Sequence, residues 1–184
     1  MKNIEIKARL DDRTRVERQL VALGARRMWV RRQRDTFFAV PEKQATDPEG
    51  AGVPERRRGH GWLKLREVDG RRAELISYSR SASSTPLVSD YDVVTVDDPA
   101  TWKRLLARAL GEDRVVEKER TLWLYENTRV HLDRVEGLGD YVELETVIQR
   151  QTEAEARAET RRLMEVLHIQ EPACIERPYR DLLS

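Results

Sequence analysis

The sequence has one cysteine, Cys174, in 184 residues. An intramolecular disulfide framework and a cysteine-rich zinc site are therefore excluded. It has no apolar run approaching the roughly 20 residues that span a bilayer. Its opening, MKNIEIKARL, lacks the continuous apolar stretch of a secretory signal. A soluble, cytoplasmic protein is the expectation. It has almost no net charge, Lys+Arg 34 against Asp+Glu 33, whereas nucleic-acid-binding domains are usually strongly basic. It has no Gly-x-x-x-x-Gly-Lys-Ser/Thr segment, which excludes a P-loop enzyme. The apolar share of 39% is low, but those residues recur at regular spacing, which argues against disorder. The length suits one domain, 1–184.

What the chain has in abundance is arginine, 28 of its 34 cations. Arginine offers planar, bidentate donors to phosphate or carboxylate. It also has strict alternation. Asn3, Glu5, Lys7 and Arg9 interleave with Ile4, Ile6 and Ala8, the period of a strand with one polar and one apolar face. Asp12 to Gly24 reads as a helix capped by an aspartate and stopped by glycine. Arg32–Val40 reads as the next strand. Pro41–Gly61, with four Gly and three Pro, reads as a long mobile loop carrying the basic knot Arg56-Arg57-Arg58.

Trp62–Val68 and Arg72–Arg80 read as strands joined at Asp69-Gly70, and Leu87–Val96 as another. Asp98-Pro99 opens a helix that Gly111 closes. Strands follow at Val115–Tyr125, Arg129–Val135 and Asp140–Gln149. A capping box of Thr152 and Glu155 starts a third helix, ended by Pro172. A tail, 172–184, completes the chain. The count is about eight strands, mostly antiparallel, and three helices: an α+β chain. The segments Asn3–Leu23 and Asp90–Leu110 echo one another in outline, which hints at a duplicated sheet.

The polar faces of these strands carry charges of both signs. Lys64 and Arg66 share a face, as do Lys118 and Arg120. Arg129, His131 and Asp133 alternate with Val130 and Leu132. Glu143 and Glu145 alternate with Val142 and Leu144. One such face is ordinarily a solvated exterior. Five together fit a closed barrel with its polar faces turned into a wet interior. Cations crowded there need an anion, and carboxylates among them suit a hard divalent metal whose shell phosphate completes. Among lesser signals, Trp29, Trp102 and Trp123 read as core. Trp62 borders the long loop, within reach of a base. His60 and His168 read as surface.

The chain resembles the CYTH superfamily, the triphosphate tunnel metalloenzymes, over nearly its whole length. Ile4-Glu5-Ile6-Lys7-Ala8-Arg9 is similar to the family's Glu-x-Glu-x-Lys strand. Gln33–Phe38 is similar to its second strand, and Trp62-Leu63-Lys64-Leu65-Arg66 and Lys118-Glu119-Arg120 to its basic pairs. His131–Glu145 resembles the segment ending Gly-Leu-Gly-x-Phe-x-Glu-x-Glu. Pro178–Leu183 resembles the tail of the class IV adenylyl cyclase branch.

The resemblance implies an eight-stranded antiparallel barrel with flanking helices. It implies Mg²⁺ or Mn²⁺ on Glu5, Glu143 and Glu145. Lys7, Lys64, Arg66, Lys118, Arg120 and Arg129 would grip phosphate, with Asp133, Lys118 and Arg120 at the reacting group. The implied activity is conversion of ATP to cyclic AMP and pyrophosphate. The alternatives are a triphosphatase acting on inorganic, thiamine or nucleoside triphosphate, and a non-catalytic triphosphate or polyphosphate binder. Three departures bear on this. Asn3 stands where the family has its first Glu, and Tyr91 where a middle strand often carries Glu. Ser79 stands where many members have Lys. These point to one firmly bound metal rather than two. The implied partner is a small triphosphate, without a membrane. An RNA 5′-triphosphate end stays open, and a homodimer fits this branch.

Overall fold

The computed structural model of the chain describes residues 2–40, 61–80, 87–170, 173–175 and 177–183. The expectations for residues 41–60, which include Arg56-Arg57-Arg58 and His60, lie outside the described residues, as does the Ser-rich segment 81–86. The elements are β1 (Lys2–Arg9), α1 (Arg13–Ala22), β2 (Arg26–Phe38), β3 (Gly61–Val68), β4 (Arg72–Arg80), β5 (Leu87–Val96), α2 (Pro99–Leu110), β6 (Glu112–Tyr125), β7 (Thr128–Val135), β8 (Gly139–Val147), α3 (Glu153–Val166) and α4 (Tyr179–Leu182).

All strand pairings are antiparallel, and their order β1-β5-β4-β3-β2-β6-β7-β8 returns to β1. The β1–β5 seam is the thinnest, holding from Lys2↔Asp90 to Glu5↔Leu87. Closure pairs every strand on both sides and so leaves no sheet edge.

The apolar stripes face outward, under the helices. Ile6, Ala8, Val130, Leu132, Val142 and Leu144 form one core with Val16 and Leu20 of α1 and Leu163 and Met164 of α3. Phe38, Leu65 and Ala73 form a second, against which Leu106 and Leu110 of α2 pack. Each such leucine or isoleucine contributes about 2 kcal/mol by leaving water. The cost of the inverted arrangement is that the polar stripes must find partners inside.

Local signals set the ends. The Asp12 side chain accepts from Arg15 N at 2.9 Å, and that of Asp98 from Thr101 N at 3.0 Å. The Thr152–Glu155 capping box is formed in both directions. Asp69 and Gly70 both have positive φ, 51° and 64°, the conformation of a type I′ hairpin turn.

Three expectations are corrected. β2 starts at Arg26, six residues before Arg32, because the long β6 supplies ladder partners from Arg26↔Leu124 onward. The residues Arg26-Arg27-Met28-Trp29-Val30-Arg31 contain too few apolar positions to reveal a period. α3 ends at Val166, well before Pro172. His168 takes a left-handed φ of 54°, and Ile169 N donates back to Met164 O at 2.8 Å, so a histidine does the work usually left to glycine. The tail contains a fourth, four-residue helix, α4.

Candidate functional site: a charged tunnel

Alternation along the strands delivers the polar side chains to the barrel axis. A cavity of about 440 Å³ is lined by Glu5 and Lys7 of β1, Lys64 and Arg66 of β3, Lys118 and Arg120 of β6, Arg129 and His131 of β7, and Glu143 and Glu145 of β8. The structure thus brings together every residue expected at the site except one. Asp133 is fully buried and sits behind Lys118 and Arg120 rather than on the cavity surface.

Asp133 accepts from Lys118 Nζ at 2.9 Å, Arg120 Nε at 2.6 Å and Arg120 Nη2 at 2.5 Å. Asp35 of β2, given no role in the sequence reading, does the same on the next strands. It accepts from Lys64 Nζ at 2.8 Å and from Arg66 Nε and Nη2 at 2.7 and 2.8 Å. Burial alone would raise the Asp35 carboxyl, but Arg66 and Lys64 hold it well below the usual carboxylate range. Burial and the neighbouring Arg66 push the Lys64 ammonium down to about 8, against the pull of Asp35. Burial and Arg120 likewise lower Lys118, while Asp133 and Glu143 draw it back up.

Burial would also raise Glu143, yet Arg120 and Lys118 hold it well below its ordinary value. Arg120 Nη2 donates to it. His131 lies between carboxylates, with Nδ1 3.7 Å from Glu143 Oε2 and Nε2 3.9 Å from Glu145 Oε2. These separations exceed hydrogen-bond length. Burial and Arg120 lower the His131 imidazole, while Glu143 and Glu145 draw it back up. Arg129 Nη1 is 3.4 Å from Glu145 Oε1.

Glu5 and Glu145 face one another in the β1–β8 register, and two carboxylates so placed call for a cation between them. Asn3 is buried and its Nδ2 donates to Glu145, while its Oδ1 has no hydrogen-bond partner. An orphaned amide oxygen beside two carboxylates is a suitable oxygen set for Mg²⁺ or Mn²⁺. Among the described residues, no three His, Cys, Asp or Glu side chains already converge in ligating geometry. Glu143, the third expected ligand, is engaged by Arg120. Tyr91 lies outside the described side chains, as does Ser79.

The Phe37 end of the cavity is filled by the tail. Lys7 Nζ donates to Arg177 O, and Ile175 N to Lys7 O at 2.7 Å. The Tyr179 ring lies 4.6 Å from Lys7 Nζ and 4.9 Å from Lys118 Nζ. Arg180 is tied to Asp113 at 2.6 Å.

Among the tunnel residues that sequence reasoning missed are Trp29, Arg31, Gln33, Asp35 and Glu74. The first four share the alternation of Lys64 and Arg66. Extending the β2 period backward from Asp35 would have found them. Trp29, expected in the core, instead lines the cavity with Arg31 stacked over its ring at 4.5 Å. Trp123 is buried in the core as expected, and Trp102 is largely exposed on α2.

A closed antiparallel barrel with charged groups turned inward and helices outside defines a tunnel-type enzyme fold. The chain belongs to the CYTH domain family, whose model matches residues 1–179. The family acts on small-molecule triphosphates and implies a divalent metal. A Methanocaldococcus jannaschii protein named "putative adenylate cyclase" is 24% identical, over 99% of this chain and 98% of its own. A Pyrococcus horikoshii protein of solved structure superposes with a TM-score of 0.82 at 20% identity, covering 99% of each chain. A Hippeastrum protein, a "putative adenylyl cyclase" described as having a dominant triphosphatase activity, superposes at 0.59 with 18% identity. It covers 91% of this chain and 88% of its own. These superpositions establish the fold. No described helix is long and apolar enough to cross a membrane.

Proposed function

We propose that this chain is a divalent-metal-dependent enzyme that takes a triphosphate into its tunnel and acts on it as a class IV adenylyl cyclase does. ATP would give cyclic AMP and pyrophosphate. The observation that carries this reading is the convergence of Lys7, Lys64, Arg66, Lys118, Arg120 and Arg129 on one cavity. Cations gathered so closely on one wall, with carboxylates beside them, suit a compact polyanion carrying a divalent metal.

In this reading the six cations bind the phosphate oxygens and stabilise the charge that builds on the departing pyrophosphate. Asp133 and Asp35 keep Lys118, Arg120, Lys64 and Arg66 in place, so those four need not reorganise during the reaction. Glu5 and Glu145, with Glu143 and the Asn3 amide oxygen, would hold Mg²⁺ or Mn²⁺. A metal held by these residues would supply polarisation of a phosphoryl oxygen. Exclusion of water by the tail at the Phe37 end strengthens each of these contacts.

Hydrolysis of a triphosphate is the second reading, favoured by the activity described for the Hippeastrum relative. The same tunnel serves both. The outcome depends on whether a ribose hydroxyl or a water reaches phosphorus.

Incubation with ATP, thiamine triphosphate or inorganic triphosphate, each with Mg²⁺ or Mn²⁺, separates them. Cyclic AMP with pyrophosphate is the expected product, and free phosphate from any substrate would establish the hydrolase. Binding without product over a day would overturn an enzymatic role and leave a triphosphate-binding module.

A further inference from the structure

The tunnel is dressed differently at its two ends. At the Phe37 end the tail supplies Pro178 and Tyr179 as lining and Arg177 as a partner for Lys7. Trp62 packs there against the cluster of Phe37, Val116 and Tyr179. That end has been filled by the chain itself.

At the other end of the same β2 stripe, Trp29 is half-buried and lines the cavity with Arg31, whose guanidinium lies 4.5 Å from the indole. Trp29 pairs in register with Leu122 of β6, also a lining residue. Arg31 makes no ion pair with any carboxylate among the described residues. The strand therefore presents a flat apolar ring, a planar cation resting on it and an aliphatic wall together. Trp29 lies two inward positions beyond Gln33, which is opposite Lys118. That is on the order of 13 Å along the strand, beyond the cations of Lys118 and Arg120.

Gln33 adds an independent sign. It is buried, and its Oε1 has no hydrogen-bond partner. An acceptor-only polyphosphate cannot satisfy a carbonyl oxygen, whereas a sugar hydroxyl or a ring N–H can.

We infer that Trp29 and Arg31 form a subsite for the heteroaromatic part of the substrate, so that the tunnel selects a nucleoside triphosphate over inorganic triphosphate. This rests on the proposed function and names the substrate class of that site. The base stacks against the Trp29–Arg31 pair and the phosphates run inward to Arg120 and Lys118, while Gln33 accepts from the sugar. Stacking of a base on an aromatic side chain accounts for roughly 5- to 150-fold in affinity.

The test is calorimetric titration with ATP, ribose 5-triphosphate and inorganic triphosphate, each with Mg²⁺. The parent protein should bind ATP at least about fivefold more tightly than ribose 5-triphosphate. Trp29→Ala and the bulk-preserving Trp29→Leu should both erase that preference, and Trp29→Phe should restore most of it. Inorganic triphosphate should change less than about twofold in the same variants, which also reports that they are folded. Equal losses for all three ligands, or no loss for ATP, would overturn the subsite. So would a base-selective loss in Trp62→Leu instead. Failure of the parent protein to bind inorganic triphosphate would instead sink the proposed function, whatever the Trp29 variants do with ATP.

Discussion

Asp35 and Asp133 hold the same pair of side chains in the same way. Each carboxylate takes a bidentate arginine from the residue directly opposite in register, Arg66 for Asp35 and Arg120 for Asp133. Each also takes the lysine two positions before that arginine, Lys64 or Lys118. The two clasps stand on the contiguous wall β3-β2-β6-β7. A Lys-x-Arg strand opposite an aspartate builds the unit, since i and i+2 share a face. Each clasp sets a lysine and an arginine against one aspartate, and at the Asp133 clasp Glu143 takes up the remaining charge through Arg120. The aspartates fix the rotamers of the cations before any anion arrives.

Removing one aspartate charge should therefore cost folding stability and change the response to ligand in opposite directions. Asp133→Asn leaves buried Lys118 without its paired carboxylate and Arg120 with Glu143 alone, and breaking a buried pair in this way costs about 3–5 kcal/mol. Urea unfolding should show that loss, and Asp35→Asn should show a similar one. Inorganic triphosphate supplies the missing charge, so it should raise Tm more in each variant than in the parent protein. A ligand shift equal to or below that of the parent would mean that the carboxylates do not serve as the internal counter-ions.

Tyr179 gives the tail a separable prediction. Its ring packs on Tyr141 with centroids 5.0 Å apart and covers Lys7 and Lys118, while its buried hydroxyl makes no hydrogen bond. Tyr179→Phe removes only the unsatisfied group and should keep stability within about 1 kcal/mol of the parent. Tyr179→Ala removes the ring and should cost about 3–5 kcal/mol. Chemical denaturation of the two variants checks this. A large loss in Tyr179→Phe would show that the hydroxyl has a partner that matters.

The strands whose period is clean were legible in sequence. β1, β3, β7 and β8 announce themselves because Ile, Leu and Val alternate with charged or polar residues. Those same charged positions are the ones the fold turns inward. The β2 extension was not legible, because Arg26, Arg27 and Arg31 look like surface in any window. Only pairing with the equally long β6 makes that segment a strand. Asp35 was hidden for a related reason. One carboxylate between a threonine and an arginine carries no signal until Lys64 and Arg66 arrive opposite it. The α3 stop was misjudged because proline is the louder punctuation, whereas tertiary packing of Leu167 and Ile169 against α1 and the barrel set the left-handed turn at His168.

Asn3 offers a test of the carboxylate set. It donates to Glu145 and lies two positions from Glu5 on the same inward face. Asn3→Asp replaces a donor by a third negative charge beside Glu5 and Glu145. The metal-free variant should be less stable than the parent, because like charges are forced together. Mn²⁺ should then raise its Tm by more than it raises that of the parent, since ligand charge strengthens binding of a hard cation. Thermal scans with and without Mn²⁺ suffice. An unchanged metal response would place the ion elsewhere in the tunnel.

Lys64 sets the pH range over which the tunnel holds its full charge. Its ammonium is pushed down to about 8 by burial and by Arg66, with Lys118 adding to the effect and Asp35 opposing it. The Phe37 ring, 5.4 Å from Nζ, is its apolar neighbour. Above pH 8 the side chain loses its proton in the folded, ligand-free protein. Inorganic triphosphate should therefore bind more weakly as pH rises from 7 to 9.5, with proton uptake on binding across that window. Lys64→Arg should flatten the profile, since arginine stays charged. Stability moves the other way. The folded pKa lies below the unfolded value of 10.5, so between pH 8 and 10.5 the unfolded chain holds more protons at this group. Stability from this group then rises with pH through that window, and its burial penalty is felt in full only below it. Titrations in buffers of different ionisation enthalpy measure the proton uptake directly. A pH-independent affinity in the parent protein, identical to that of Lys64→Arg, would show that Lys64 remains charged throughout.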